Sequence, residues 1–361
     1  MIRVLIVDDS AVVRTFLARD LGAEPDIEVV GEAADAYEAR EKILSLAPDV
    51  VTLDVQMPRM DGLTFLGRLM KYHPMPAVIF SSLTTPNSEA ALDALAIGAV
   101  EVVAKPAAGG DVDAATRQLI RAIRAAAVAN LKFKPDAGAE TQPAVPQFKA
   151  NPGLRSFIKQ RVIAIGASTG GPAAIERLLA AMPAGSPPVL IVQHMPPGFA
   201  DAFARRLDAG SEMNVRVAAD GDRVEPGVAL VAPGDRHMIV LGRGTDLRVG
   251  LRDGPPVHYQ RPAVDVLFHA LSTTAGADAV GILLTGMGID GASGLRALRD
   301  AGAHTIAQNE ESCVVFGMPG EAIRRGGACE TLPLTHITGS ALNAATSIQL
   351  EQVAAAAKPG S

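Results

Sequence analysis

The feature that most constrains this chain is a strict alternation of apolar and amphipathic runs over residues 1–128. The amphipathic runs, such as AVVRTFLARDL and GLTFLGRLMKY, repeat apolar residues at the spacing of a helix. Between them lie short apolar runs typical of buried strands: VLIVDD (4–9), IEVVGEA (27–33), DVVTLDV (49–55), PAVIFSS (76–82) and VEVVAKP (100–106). Strands that alternate with helices predict a parallel sheet covered on both faces.

A second series of strands and helices begins at RVIAIG (161–166). Residues 130–159, rich in Pro, Ala, Lys and Gly, show no periodicity and indicate a linker. The later strand candidates are 189–194, 215–220, 228–234, 237–242, 247–251, 279–286 and 303–309. The middle ones are short and closely spaced, which favours an antiparallel hairpin.

The predicted fold is therefore α/β throughout. A flavodoxin-like, five-stranded parallel domain occupies residues 1–129, and the linker follows at 130–159. A Rossmann-like, doubly wound α/β domain with an antiparallel hairpin occupies residues 160–352, and 353–361 form a tail.

Composition narrows the class of protein. Among 361 residues the net charge is −6, which argues against a nucleic-acid-binding protein. No apolar run is long enough to insert into a membrane, and the N-terminus lacks the pattern of a signal peptide. With only two cysteines, a disulfide framework is not expected, and we expect a cytoplasmic protein.

Acidic residues and a lysine lie at the ends of strands in the first domain. Asp8 and Asp9 end the first strand, Asp54 the third and Lys105 the fifth. Because parallel strands end at one sheet edge, these side chains should converge. Grouped carboxylates are ligands that suit Mg²⁺, and Asp54 is the best candidate for a phosphoacceptor. Ser81, at the end of the fourth strand, is placed to hydrogen-bond a phosphoryl group.

VDDS, DVQMPRMDG, the strand-end serine and AKP together resemble a two-component receiver domain. The resemblance implies Mg²⁺ bound by Asp8, Asp9 and Asp54, with Asp54 as the phosphorylated residue. It also implies that Ser81 and Lys105 sense the phosphate. Many receivers carry an aromatic switch residue three positions before the lysine, where this chain has Val102.

A possible nucleophile opens the second domain. In GASTGG, Ser168 lies between a strand and a helix, the context in which G-x-S-x-G presents a nucleophilic serine. Such glycine-rich turns also bind pyrophosphate, which leaves a nucleotide-binding module as an alternative. Against it, no carboxylate lies in GSPPVL, about twenty residues on, where a dinucleotide-binding domain places one.

His194 is the best candidate for the base because it ends the next strand, at the same sheet edge as Ser168. His237 and His258 are the nearest competitors. Asp290, in LLTGMGIDG, is the candidate carboxylate that orients the imidazole, and its position also suits an N-cap of the following helix. The turn 286–288 could present a backbone N–H to an oxyanion.

GASTGG, QHMPPGF, APGDRHM, RPAVDVLF, LLTGMGIDG and VVFGMPGEAI together resemble the catalytic domain of bacterial chemotaxis protein-glutamate methylesterases. The resemblance implies a Ser168–His194–Asp290 triad, with Thr169 and Met287 orienting the substrate or oxyanion. Members of that family often have a basic residue where this chain has Gly320.

The implied activity is hydrolysis of glutamyl methyl esters on methyl-accepting chemoreceptors, releasing methanol, together with deamidation of receptor glutamines. A chemotaxis histidine kinase would be the phosphodonor, and the ester chemistry needs no cofactor. We expect the first domain to cover the Ser168 edge until Asp54 is phosphorylated. A response regulator that acts on DNA is a further alternative, which the acidic composition opposes.

Overall fold

A computed structural model describes residues 1–82, 85–106, 111–131 and 161–356, with backbone alone at 85–88 and 346–356. The chain divides into two compact units, Met1–Lys134 and Pro135–Ser361. Most of the predicted linker, residues 132–159, lies outside the described part, as do residues 357–361 of the predicted tail. No helix within the described ranges is long and apolar enough to span a membrane.

The first unit contains a five-stranded sheet in which every paired strand is parallel. Its strands are β1 (Ile2–Val7), β2 (Ile27–Ala33), β3 (Val50–Leu53), β4 (Ala77–Ser82) and β5 (Glu101–Lys105). The helices between and after them are α1 (Ala11–Gly22), α2 (Ala36–Leu46), α3 (Gly62–Tyr72), α4 (Thr85–Ile97) and α5 (Val112–Ala127). The strand order β2-β1-β3-β4-β5 confirms the flavodoxin-like prediction.

Side-chain caps fix where four of these helices begin. Ser10, Asp35, Asp61 and Asp111 have extended backbones and accept hydrogen bonds from the first-turn N–H groups of α1, α2, α3 and α5. Such caps satisfy N–H groups that no helical carbonyl can reach.

The second unit is built on a seven-stranded parallel sheet. Its strands are β6 (Val162–Ala167), β7 (Val189–Gln193), β8 (Asn214–Val217), β9 (Val228–Val231), β12 (Ala279–Leu283), β13 (His304–Gln308) and β14 (Glu330–Leu332). A separate antiparallel hairpin is formed by β10 (His237–Leu241) and β11 (Arg248–Arg252). The Rossmann-like prediction with one hairpin is confirmed.

The strand order β14-β13-β12-β6-β7-β9-β8 places the first strand of the unit, β6, inside the sheet. On one side of β6 lie β7, β9 and β8, in that order. The chain then returns to the other side of β6, where β12 pairs with it. This reversal is a topological switch point, where the carboxyl ends of neighbouring strands leave a crevice for ligands.

The helices of the second unit are α6 (Gly171–Ala180), α7 (Ala200–Ala209), α8 (Val264–Thr274), α9 (Ala292–Asp300), α10 (Met318–Arg324) and α11 (Leu334–Ala356). β14 is absent from the sequence prediction because three residues carry no periodicity. Helix α11 continues into residues 353–356, which the sequence assigned to the tail.

A small residue in β6 lets α8 approach the sheet. A Cβ built on Gly166 would lie 2.2 Å from Val264 Cγ1, and Val264 begins α8 in the buried core. The backbone of Gly166 and the first turn of α8 are therefore in direct contact, next to the residue that precedes Ser168.

We predict that Gly166→Ala destabilises the second unit by about 1–3 kcal/mol, because the new methyl group must displace the β-branched Val264. Thermal unfolding of the full chain measures the effect. Gly185→Ala is the matched control, since its Cβ would meet nothing within 4 Å. Equal melting temperatures for the two variants would contradict the close packing described.

Candidate active site and phosphoacceptor pocket

The four strand-end residues of the first unit converge as expected. Lys105 Nζ lies 2.6 Å from Asp54 Oδ2 and 2.7 Å from Asp8 Oδ2, so one ammonium bridges two carboxylates. Asp8 and Asp54 are buried, whereas Asp9 is exposed at the rim. The Gln56 N–H donates to the other oxygen of Asp54 at 3.3 Å, which orients this carboxylate at the end of β3.

Burial acts against the charged forms of the acidic and basic groups in this pocket. Burial raises the pKa of Asp8 above its ordinary value, and the charge of Asp54 adds to this, although hydrogen bonding to Lys105 opposes it. Burial also acts to lower the pKa of Lys105, but its hydrogen bonds to Asp54 and Asp8 outweigh burial and raise it. Three carboxylates thus share one ammonium in this pocket, and a cation would offset their mutual repulsion.

The carboxylates fit a hard divalent cation. One oxygen each from Asp8, Asp9 and Asp54 lie within 4.8 Å of one another. An all-oxygen set of this kind, open to water at Asp9, matches the preference of Mg²⁺ for a few carboxylates and several waters. The donor set is thus compatible with the predicted Mg²⁺, which would also contact phosphoryl oxygens at Asp54.

Ser81 lies at the end of β4, and its Oγ is buried and has no hydrogen-bond partner among the described residues. An unpaired buried hydroxyl is costly unless a ligand satisfies it. This observation suits the predicted contact with a phosphoryl group, which stays a prediction. Val102 is buried within β5, so the position three residues before Lys105 is part of the core.

Ser168 and His194 leave neighbouring strands side by side. Ala167 and Gln193 are paired across β6 and β7, and Ser168 and His194 are the next residue of each strand. The His194 N–H donates to Ala167 O at 3.0 Å, which continues the ladder by one bond. Since adjacent strands lie about 4.8 Å apart, the sheet brings the two residues together at its carboxyl edge.

Asp290 reaches the same place from the loop after β12. Its Oδ2 lies 2.8 Å from His194 Nε2, and both side chains are buried. His194 Nδ1 is also buried and has no hydrogen-bond partner among the described residues. The structure thus joins the predicted base to the predicted orienting carboxylate and leaves one ring nitrogen available.

The Asp290 carboxylate is held by backbone groups as well. It accepts the N–H groups of Val264 (2.7 Å), Asp265 (2.9 Å) and Gly291 (3.0 Å). Burial acts to raise the pKa of Asp290, but hydrogen bonding to His194 and the backbone N–H groups outweigh burial and hold it below the ordinary value. Asp290 is therefore ionised at neutral pH.

The prediction that Asp290 is the N-cap of the helix that follows it was wrong. The N-cap position of α9 is Gly291, which gives no side-chain cap, whereas Asp290 binds the first N–H groups of α8. In return Asp265, in the first turn of α8, accepts the Gly294 N–H of α9 at 2.7 Å. Each helix start is thus capped by an aspartate from the other segment, a tertiary arrangement that no local pattern encodes.

The two competing histidines, His237 and His258, make hydrogen bonds of their own in the loop before α8. His237 Nδ1 accepts the Ala263 N–H and its Nε2 contacts Pro255 O at 3.1 Å, so both ring nitrogens are occupied. His258 Nε2 lies 3.1 Å from Asp265 Oδ2 and the ring is partly exposed. Both histidines hold the loop that leads into α8.

Two residues near Ser168 were missed by the sequence reasoning. Gln193 donates its side-chain amide to both Ser168 O and His194 O, at 2.9 Å each. Thr285 accepts the Ser168 N–H through its carbonyl, and its hydroxyl donates to Thr169 O. A polar residue at the last position of a buried strand was the available signal for Gln193.

Thr169 is buried beside Ser168, whereas Met287 is 42% exposed in the turn before Asp290. A Cβ on Gly286 would lie 2.7 Å from Ser168 Cβ, so this turn packs directly on the serine. A Cβ on Gly320 would lie 3.1 Å from the Phe316 ring, so a longer residue there requires the ring to move.

Comparison with known proteins identifies both units. A CheB methylesterase family model matches residues 163–340, and a response regulator receiver domain model matches residues 4–117. The crystal structure of the Thermotoga maritima CheB methylesterase catalytic domain is 35% identical, with a TM-score of 0.50, and covers 52% of this chain and 99% of that chain.

Several relatives match this chain along nearly its whole length. Protein-glutamate methylesterase/protein-glutamine glutaminase 2 of Syntrophus aciditrophicus is 49% identical over 342 residues, 93% of this chain and 97% of the relative. The protein of that name in Escherichia coli (strain K12) is 49% identical over 339 residues, 93% of this chain and 95% of the relative. The chain therefore belongs to the protein-glutamate methylesterase/protein-glutamine glutaminase family, with a receiver domain followed by a CheB methylesterase domain.

Proposed function

We propose that this protein hydrolyses glutamyl methyl esters on methyl-accepting chemoreceptors in the cytoplasm, releasing methanol, and that it deamidates receptor glutamines. A chemotaxis histidine kinase supplies the phosphoryl group that controls it. The observation that carries the proposal is the buried His194–Asp290 pair beside Ser168, in a chain whose relatives bear the methylesterase/glutaminase name.

We infer from the hydrogen bonds of Asp290 which nitrogen of His194 acts as the base. An ionised carboxylate can only accept, so His194 Nε2 must carry the proton that it shares with Asp290 Oδ2. In the neutral ring Nδ1 then has the free lone pair. The serine protease template uses the opposite assignment, with Nδ1–H on the aspartate and Nε2 as base.

The reaction follows from these roles. As the Ser168 oxygen attacks the ester carbonyl carbon, its proton passes to His194 Nδ1. Collapse of the tetrahedral intermediate transfers that proton to the departing methoxide and releases methanol. A water then attacks the acyl-enzyme with His194 again as base, and the products are the glutamate side chain and free Ser168. With a glutamine side chain the same steps release ammonia.

The oxyanion would be held by the turn before Asp290. The Ser168 N–H is already donated to Thr285 O, and the Gly286 N–H to Val315 O. The Met287 N–H, by contrast, donates to no residue in the described ranges. This turn packs on Ser168, so a backbone donor there is well placed to stabilise developing negative charge.

Control would act through the receiver domain. Mg²⁺ bound by Asp8, Asp9 and Asp54 would neutralise phosphoryl oxygens, and Lys105 would pair with the phosphoryl group on Asp54. The buried hydroxyl of Ser81 would donate a hydrogen bond to the same phosphoryl group. A tenfold activation of hydrolysis needs a bias of only about 1.4 kcal/mol between inactive and active states.

We predict that Ser168→Ala lowers the rate of methanol release from radiomethylated receptor membranes by at least about 10³, because the nucleophile is lost. Ser186→Ala is the matched control, since Ser186 is also buried and its hydroxyl has no partner among the described residues. Near-normal methanol release by the Ser168 variant would refute the assignment.

We predict that Asp54→Asn abolishes the acceleration of hydrolysis by acetyl phosphate and Mg²⁺ and leaves the basal rate unchanged, because the phosphoacceptor is lost. Asp61→Asn is the control: Asp61 caps α3 in the same loop, and asparagine caps equally well. Activation that survives in the Asp54 variant, or disappears in the Asp61 variant, would contradict the proposal.

We predict that the Asp290→Asn variant is less stable than wild type at pH 7, because an amide cannot accept all four N–H donors. The pKa of Asp290 is lowered in the folded state, so its stabilising effect is present above the ordinary value of 3.8 and is lost as the pH falls through the folded pKa. Urea unfolding from pH 7 to about pH 3 should show the difference shrinking at the acid end. A constant difference would count against the lowered pKa.

A further inference from the structure

A strained turn lies beside the catalytic residues. Val257 and Gln260 exchange two backbone hydrogen bonds, of 3.0 and 2.9 Å, around a two-residue turn. The two central residues, His258 (φ 51°) and Tyr259 (φ 65°), both lie in the left-handed region. A turn of this kind normally contains Asn-Gly, because most other residues meet steric resistance there.

The turn is fixed to the site by its neighbours. His258 binds Asp265, whose N–H donates to the catalytic Asp290 at 2.9 Å. The segment that precedes the turn is also held, because His237 contacts Pro255 O and Arg261 donates to Gly254 O at 2.7 Å. These bonds hold the loop in one conformation next to the carboxylate that orients His194.

Exposed apolar side chains concentrate around the same place. Among the described residues of the second unit, four large apolar side chains are exposed: Leu241, Tyr259, Met287 and Ile289. Leu241 lies on the hairpin strand β10 and not on the turns that carry the other three. Tyr259, Met287 and Ile289, here termed the apolar rim, lie on the strained turn and on the turn before Asp290, and Tyr259 is 81% exposed.

We propose that the apolar rim binds the substrate polypeptide through apolar side chains that flank the modified glutamyl residue, with Tyr259 as the main contact. This inference rests on the proposed function and adds the recognition of the protein chain to it. An ester carbonyl that reaches Ser168 brings its flanking residues onto the turns that surround the triad. Aromatic side chains are favoured contacts for such recognition because they bury a large area at little entropic cost.

The backbone strain supports a role for the Tyr259 side chain. Glycine would adopt φ 65° without steric cost, whereas a tyrosine adopts it at a local conformational cost. Strained conformations of this kind cluster where a side chain serves a ligand. Tyr259→Gly should therefore weaken binding of the receptor and leave hydrolysis of a small ester unchanged, a combination that a purely structural tyrosine would not give.

The test compares Tyr259→Gly, Tyr259→Phe and Leu241→Ala with wild type, all as full chains activated with acetyl phosphate and Mg²⁺. Methanol release is measured on methylated receptor membranes and, in parallel, ester hydrolysis on p-nitrophenyl acetate. For Tyr259→Gly we expect KM for receptor to rise about fivefold or more and hydrolysis of the small ester to be unchanged.

Tyr259→Phe should keep the receptor KM of wild type because the aromatic contact remains, and Leu241→Ala should keep it because Leu241 lies outside the rim. An unchanged receptor KM in Tyr259→Gly, equal losses on both substrates, or a higher rate before phosphorylation would each overturn the inference. Absence of receptor hydrolysis by wild type would instead refute the proposed function, so the two failures are distinguishable.

Discussion

The carboxylate of Asp290 is the contact on which the second unit depends. It is buried and accepts four N–H groups, one from His194 and three from the backbone at the starts of α8 and α9. Hydrogen bonds of this kind to a charged group are strong and directional. One side chain therefore caps a helix and also holds the imidazole of His194 through Nε2.

The sheet explains why these groups meet. Ser168 follows the central strand β6, His194 follows β7 on one side, and Asp290 follows β12 on the other. The switch point thus brings together the proposed nucleophile, base and orienting carboxylate from three neighbouring strands. The receiver domain repeats the principle in simpler form, with Asp8, Asp54 and Lys105 at the ends of three strands of its own sheet.

The sequence predicted the alternating strands and helices well, because apolar periodicity and strand-end polar residues are local signals. Thirteen of the fourteen strands in the described part of the chain overlap predicted runs, and β14 was missed because three residues show no period. The exchange of caps between Asp265 and Asp290 could not be predicted, since it joins segments that only the packing of α8 on α9 brings together. The left-handed turn at His258 and Tyr259 was equally hidden, because this pair lacks the Asn-Gly signal that usually marks such a turn.

The protonation state of His194 tests the account most directly. Nitrogen-15 NMR of the protein labelled at histidine, with His194→Gln to assign the signal, reports which ring nitrogen carries the proton at neutral pH. The bonds of Asp290 predict a proton on Nε2 and a bare Nδ1. A proton on Nδ1 with Nε2 bare would contradict the orientation of the base and, with it, the role given to Asp290.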